Sequence, residues 1–147
     1  MKSFSNLVDT LLSGAFSRLG MLRKDYSYDG NAFGNEVVLY EWHDLRVRFV
    51  LDRGEPRCDI AGTCETENAA LGPFGPWIGI NEIESLLSGQ ETVLTDCGTY
   101  MRSVLTFLSD HQGRIQEMFA PEHVKGTITL VLEYRRKAVG RFRKNGV

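Results

Sequence analysis

A chain of 147 residues with 42% hydrophobic and 24% charged residues has the size and composition of one globular domain, expected to span residues 1–147. The absence of low-complexity tracts, internal repeats and long apolar runs argues against a disordered chain, a repeat array and a membrane-spanning protein. The formal net charge is only −2, but the positions before Arg135 carry 11 Lys and Arg against 19 Asp and Glu, whereas residues 135–147 carry six basic residues and no acid.

The first twenty residues contain one lysine and then polar residues at short intervals, without the continuous apolar core of a signal peptide. The three cysteines are an odd number, which favours free thiols over a disulfide framework. Together these features predict a cytoplasmic protein.

Apolar residues recur at three- and four-residue steps from Phe4 to Leu22, which predicts an amphipathic helix from Ser3 to about Arg23. Gly20 weakens the helix near its end. The polar, glycine-containing stretch that follows predicts a link.

Three short strands are predicted next. Apolar and polar residues alternate from Leu45 to Asp52, which is typical of a half-buried strand. Val37–Glu41 precedes this strand across the short connection "WHD", and Cys58 with Ile60 follows it across "DRGEP". Connections this short predict an antiparallel meander.

The remaining segments favour helices. Asn81 and Glu84 resemble a capping pair for a short helix that ends at Gly89. Thr95 or Asp96 then begins a longer amphipathic helix. The last segment, residues 121–144, fits both a helix and a strand followed by a helix. We favour the helix because a strand of this length would be unusual, although the β-branched residues argue for a strand.

The fold class predicted from these elements is α+β. We expect an N-terminal amphipathic helix, a small antiparallel three-stranded meander and two or three C-terminal helices packed on one face. The helices must cover the sheet, because a three-stranded sheet is unstable alone.

His43 and Asp44 are the one adjacent pair that resembles a general base and its orienting carboxylate. Neighbouring residues on a strand point to opposite faces, however, and Asp favours turns. No nucleophile lies at a diagnostic spacing. The pair is therefore interpreted as part of a turn, and no catalytic residue is assigned.

No cofactor or metal is predicted. Cys58, Cys64 and Cys97 lack the close pairs that zinc sites use, and Cys58 is interpreted as an inward-facing residue of its strand. The stretch "GPFGPW" has prolines where a phosphate-binding loop needs free N–H groups.

The segment from Cys58 to Met101 contains no Lys or Arg and seven acids. This predicts an acidic docking surface between Asp59 and Asp96, or a solvated acidic face. Trp and other aromatic residues dominate binding energy at interfaces. The predicted partner-binding residues are Glu65, Glu67, Phe74, Trp77, Glu82 and Glu84.

The basic residues of the C-terminal segment predict a second charged patch. They could bind nucleic-acid phosphates, favour a helix C-terminus, or fold back onto the acidic segment. The patch consists of Arg135, Arg136, Lys137, Arg141, Arg143 and Lys144.

The function favoured by these observations is a non-enzymatic, cytoplasmic protein-binding domain that docks a basic protein partner on an acidic surface. By analogy of size and charge alone, such a domain suits an immunity-type inhibitor or an adaptor. One alternative is an enzyme or small-ligand-binding protein with a pocket near His43 and Asp44. Another is a nucleic-acid accessory protein that uses the basic segment. Neither the oligomeric state nor the identity of the partner follows from the sequence.

Overall fold

A computed structural model describes residues 4–29, 34–62, 77–89 and 96–145, with the backbone alone at residues 29 and 140–145. The α+β class is confirmed. In chain order the elements are α1 (Phe4–Ser13), β1 (Leu22–Asp29), β2 (Asn35–Trp42), β3 (Leu45–Asp52), β4 (Glu55–Gly62), β5 (Ile78–Gly79), α2 (Ile80–Ser88), α3 (Cys97–Asp110), α4 (Gln112–Met118) and α5 (Val124–Asn145), with a 3₁₀ turn at Ser17–Leu19 after α1.

The sheet has five antiparallel strands in the order β1-β2-β3-β4-β5, so the prediction of three strands was wrong. The three predicted strands are β2, β3 and β4. The sequence pattern missed β1 because the edge strand exposes most of its side chains and therefore shows no apolar alternation. It missed β5 because two residues are too few to form a pattern.

The N-terminal helix is shorter than predicted. It ends at Ser13 rather than near Arg23, and Gly20, with φ of 69°, turns the chain toward β1 in a left-handed conformation. Leu19 stays in the core, where its carbonyl accepts a hydrogen bond of 2.8 Å from the indole nitrogen of Trp42.

The core lies on the inner face of the sheet. Fully buried residues of β2, β3 and β4, among them Val38, Trp42, Phe49 and Ile60, face α1 and α3. The Phe49 ring meets the ring of Tyr40 edge-on, with centroids 5.6 Å apart. The helices α1 and α3 thus contact this inner face. In the described part of the chain four helices follow the sheet, so the prediction of two or three C-terminal helices was too low.

The ends of α2 and the start of α3 are fixed by residues close to them in the sequence. Glu82, rather than the predicted Glu84, returns to the start of α2, where its carboxylate accepts a hydrogen bond of 3.0 Å from the Gly79 amide. Gly89 ends α2 with φ of 73°. Asp96 caps α3 by accepting a hydrogen bond of 3.0 Å from the Thr99 amide.

The last segment is helical from Val124 to Asn145, so the helix interpretation of this stretch is confirmed. Val124, Ile128 and Val131 are buried and fix the first half of α5 to the body. Within the described ranges, no helix combines the length and apolarity needed to cross a bilayer.

Candidate functional site: the Trp77 cluster

The outer face of the sheet, opposite α1 and α3, carries arginines where the inner face carries apolar residues. The strand period of two places Arg46 and Arg48 on this face of β3, between the buried residues Leu45, Val47 and Phe49. Arg57 and Asp59 occupy the same face of β4, and Arg48 stands directly opposite Asp59 in the β3–β4 register.

Trp77 lies against these arginines. The Arg48 guanidinium carbon is 4.3 Å from the centre of the Trp77 ring, and that of Arg46 is 5.5 Å away. Each cation over an indole face contributes roughly 0.5–1 kcal/mol where water has access, and more where it is excluded. The ring is therefore held in place by two guanidinium groups.

Asp59 is the buried carboxylate of this face, and its side chain is only 6% exposed. One of its oxygens accepts hydrogen bonds from Nε of Arg48 at 2.7 Å and Nε of Arg57 at 3.2 Å. A buried carboxylate needs such partners, because an unpaired buried charge is strongly destabilising. Asp59 is thus a structural counter-ion of the arginines.

Arg135 of α5 also contacts Trp77. Its guanidinium donates to both oxygens of Glu82, at 2.7 Å and 3.0 Å, and to the Trp77 carbonyl at 3.1 Å. This two-point pairing raises the pKa of Arg135 further above its already high value, the hydrogen bond to Glu82 being the main cause. The contact fixes α5 to the start of α2 and to the backbone of Trp77.

We call this set the Trp77 cluster, defined as Arg46, Arg48, Arg57, Asp59, Trp77, Glu82 and Arg135. Asp52 lies 3.7 Å from the Arg57 guanidinium, so the four guanidinium groups and the carboxylates of Asp52, Asp59 and Glu82 leave a formal excess of one positive charge. Arg46 donates to the Gly62 carbonyl at 3.1 Å, whereas its buried Nε has no hydrogen-bond partner among the residues that the structure describes. The cluster therefore retains donor capacity for an anionic group.

The structure places the predicted acidic docking residues in several environments. Asp59 and Glu82 are neutralised by arginines of this same chain, and Asp96 caps α3. Glu84 lies on the wall of a cavity beside α3. The described residues thus do not form a continuous acidic surface. Glu65, Glu67 and Phe74, along with Cys64, lie outside the described residues.

His43 and Asp44 form the two-residue turn between β2 and β3, as their turn interpretation predicts. His43 has φ of 55°, both residues are exposed, and the His43 ring contacts the ring of Trp42 with centroids 5.7 Å apart. Neither residue lines the cavities of about 480 Å³ and 230 Å³ that described residues form among the helices.

Two cavities formed by described residues lie among the helices, with volumes of about 480 Å³ and 230 Å³. The larger is lined by Arg102 and His111, whose ring stacks on Phe107 with centroids 4.4 Å apart. His111 Nδ1 lies 3.0 Å from the Phe107 carbonyl, which fixes the ring. Sequence reasoning did not single out this polar groove, because its side chains come from separate turns of two helices.

The described cysteines suit structural roles. Cys58 is fully buried on β4, and burial raises the pKa of its thiol well above the usual value. Cys97 begins α3, where partial burial also raises its pKa. Across the described ranges, no group of three His, Cys, Asp or Glu side chains is arranged to hold a metal ion.

The predicted basic patch is divided by the structure. Arg135 faces the body and is paired with Glu82, whereas Arg136 and Lys137 are exposed. The side chains of Arg141, Arg143 and Lys144 lie outside the described residues, although the backbone there continues α5.

The fold is therefore an α+β domain with a five-stranded antiparallel meander, and its candidate site is an arginine–tryptophan cluster on the outer sheet face. No protein-family model, curated protein or solved structure matches the chain.

Proposed function

We propose that this chain is a non-enzymatic protein-binding domain whose contact surface is centred on the Trp77 cluster. The observation that carries the proposal is the contact of the Trp77 ring with the guanidinium groups of Arg46 and Arg48, on the sheet face opposite α1 and α3. Trp and Arg are the residue types most enriched among those that dominate interface energies.

The charge of this cluster determines the partner. The formal excess of positive charge favours a partner that presents carboxylates, as does the Nε of Arg46, which has no hydrogen-bond partner within the described part of the chain. This reverses the sign expected from the sequence, because the acids that suggested a basic partner are in part engaged by arginines within the chain. The inhibitor or adaptor class is kept, and only the charge of the partner changes.

The fixed position of Trp77 lowers the entropic cost of binding a partner. The Trp77 ring is already held by the arginines and its backbone by Arg135, so little conformational entropy is lost when a partner covers it. The side chain of Arg57 is 47% exposed and pairs with Asp52 at 3.7 Å; we propose that it exchanges this exposed contact for a carboxylate of the partner.

The test is a comparative pull-down from the native cell lysate with wild type, Trp77→Ala, Arg57→Glu and Tyr28→Ala. Tyr28 is the matched control, because it is an exposed aromatic residue on β1 at the opposite edge of the sheet. All four proteins must show the same circular dichroism spectrum and cooperative unfolding.

We expect wild type and Tyr28→Ala to retain the same partner. Trp77→Ala should bind it at least about 30-fold more weakly, which corresponds to a binding hot spot of about 2 kcal/mol. Arg57→Glu should slow association and reduce its dependence on salt. Equal retention by wild type and Trp77→Ala would show that Trp77 is not the anchor.

A further inference from the structure

The N-terminal helix α1 has a small apolar contact with the rest of the protein. Of its ten residues, Phe4 and Val8 are the buried apolar ones, and Leu11 and Leu12 are partly buried against the core. The longer helix α3 buries six apolar side chains in the same core. Because a helix of ten residues is barely stable by itself in water, α1 depends on its contacts with the body.

Two polar contacts attach α1 to the strands. In the middle of the helix, the Asp9 carboxylate accepts a hydrogen bond from the Tyr40 hydroxyl of β2 and pairs with the guanidinium of Arg23 on β1. At the start of the helix, the Phe4 amide donates to the Glu36 carboxylate of β2 at 3.1 Å. Hydrogen bonds to charged groups are stronger than those between neutral groups, so both carboxylates contribute to the attachment of α1.

The contact with Glu36 also carries a cost. Glu36 is only 7% exposed, and the donors described for its carboxylate are the Phe4 amide and the Tyr26 hydroxyl, at 3.0 Å, which are both neutral. A buried carboxylate loses hydration that neutral donors replace only in part. Movement of α1 away from β2 would return Glu36 to water and so offset part of the free energy of opening.

The chain between α1 and the core can act as a hinge. Leu19 is 1% exposed, and its carbonyl accepts the hydrogen bond from the Trp42 indole, so this residue fixes the chain before β1. Residues 14–18 lie between the end of α1 and Leu19, and all of them are exposed except the partly buried Phe16. The link therefore runs over the surface, and α1 can move while Leu19 stays in the core.

We propose that α1 is a strap that opens as a unit about residues 14–18 while the sheet and α3 stay folded. Opening breaks the contacts of Asp9 and Glu36 with their partners and uncovers the inner face of β2 that α1 contacts. Elements with few buried apolar contacts are the ones that open locally, below the free energy of global unfolding. The Trp77 cluster lies on the opposite face of the sheet, so this inference does not depend on the proposed function.

The test is native-state hydrogen exchange of the full chain at several urea concentrations below the unfolding transition, read residue by residue by NMR. We expect the amides of residues 8–13 to share one opening free energy that is lower than that of α3. Their exchange should depend less steeply on urea, because a local opening exposes less surface than global unfolding. Amides of α1 that open independently of one another, or with the free energy and urea slope of α3, would overturn the proposal.

A substitution in the closing contact tests what holds the strap. Tyr40→Phe removes one hydrogen bond to Asp9 and should speed exchange in α1 at least about tenfold. Tyr28→Phe is the matched control, since it removes the hydroxyl of an exposed tyrosine on the neighbouring strand β1 and should leave α1 unchanged. Equal effects of Tyr40→Phe and Tyr28→Phe would show that the contact with Asp9 does not close the strap.

A substitution away from the strap distinguishes local opening from global unfolding. Ile115 is fully buried on α4, and Ile115→Val should speed exchange in α3 about fivefold by lowering the global stability. Exchange in α1 should not change, because α4 stays folded when the strap opens. If Ile115→Val speeds exchange in α1 as much as in α3, α1 exchanges only through global unfolding and the proposal is wrong.

Discussion

The bidentate pair of Arg135 and Glu82 is expected to be a main attachment of α5 to the body. Arg135→Ala removes two hydrogen bonds to the Glu82 carboxylate and one to the Trp77 carbonyl. The side chains of Arg135 and Glu82 are only 30% and 15% exposed, so the loss leaves a largely buried carboxylate without its partner. We expect the free energy of unfolding to fall by about 2–3 kcal/mol.

A double-mutant cycle tests this value. Glu82→Ala should cost at least as much as Arg135→Ala, because the Glu82 carboxylate also caps α2 through the Gly79 amide. The double variant should lose about 1–2 kcal/mol less than the sum of the single losses. The assay is urea unfolding followed by circular dichroism.

The exposed pair of Lys137 and Glu133 on the same helix provides the control. Its nitrogen and oxygen are 3.4 Å apart, and the side chains are 68% and 47% exposed. A cycle on this pair should give a coupling of no more than about 0.5 kcal/mol. If the losses for Arg135→Ala and Glu82→Ala add without coupling, the pair does not hold α5 to the body and the reasoning is refuted.

Three further predictions concern single residues. His43→Gly should raise the free energy of unfolding by about 0.5 kcal/mol in urea titrations, because His43 adopts φ of 55° in its turn, a conformation that favours glycine; a loss of stability of about 1 kcal/mol would contradict this explanation. Cys58 should react with a thiol reagent far more slowly than Cys97 under native conditions, because it is fully buried with a raised pKa; mass spectrometry of the labelled peptides would reveal the opposite order. The hydrogen bonds from Thr99 lower the pKa of Asp96, so its contribution to stability is present above the unfolded-state pKa and is lost as pH falls through the folded-state pKa. Asp96→Asn should therefore flatten the acid side of the stability profile, and an unchanged profile would argue against the cap.

The parts of the fold that the sequence predicted are those in which one face is buried. Leu45, Val47 and Phe49 alternate with polar residues because β3 has a buried inner face and a polar outer face. In the helices of the C-terminal half, apolar residues recur at three- and four-residue steps because one side of each helix is buried. Gly89 ends α2 in a left-handed conformation that favours glycine, and the Asp96 carboxylate caps the start of α3, so both helix ends can be predicted from residue type.

The parts that the sequence did not predict depend on pairing across the chain. β1 is held by its register with β2, and its exposed residues give no periodic signal. The end of α1 was placed about ten residues too late, because Leu19 continues the apolar spacing although it enters the core from a 3₁₀ turn.

The candidate site was predicted only in part. Trp77 was identified from its residue type. The arginines that contact it were not identified, because in the sequence Arg46 and Arg48 are simply the polar residues that alternate with apolar ones in a half-buried strand. A long sequence segment without cations predicted a negative surface. The counter-ions come from β3, β4 and α5, and only the folded chain brings them to Asp59 and Glu82.

The most direct test of the Trp77 cluster as the contact surface is hydroxyl-radical footprinting of the protein with and without its captured partner, read by mass spectrometry. Tyr28 serves as the internal reference, because it is exposed on β1 at the far edge of the sheet. We predict that the partner slows oxidation of Trp77 several-fold and leaves Tyr28 unchanged. Oxidation of Trp77 at the same rate in both samples, with protection at His43 or Tyr28 instead, would contradict the account.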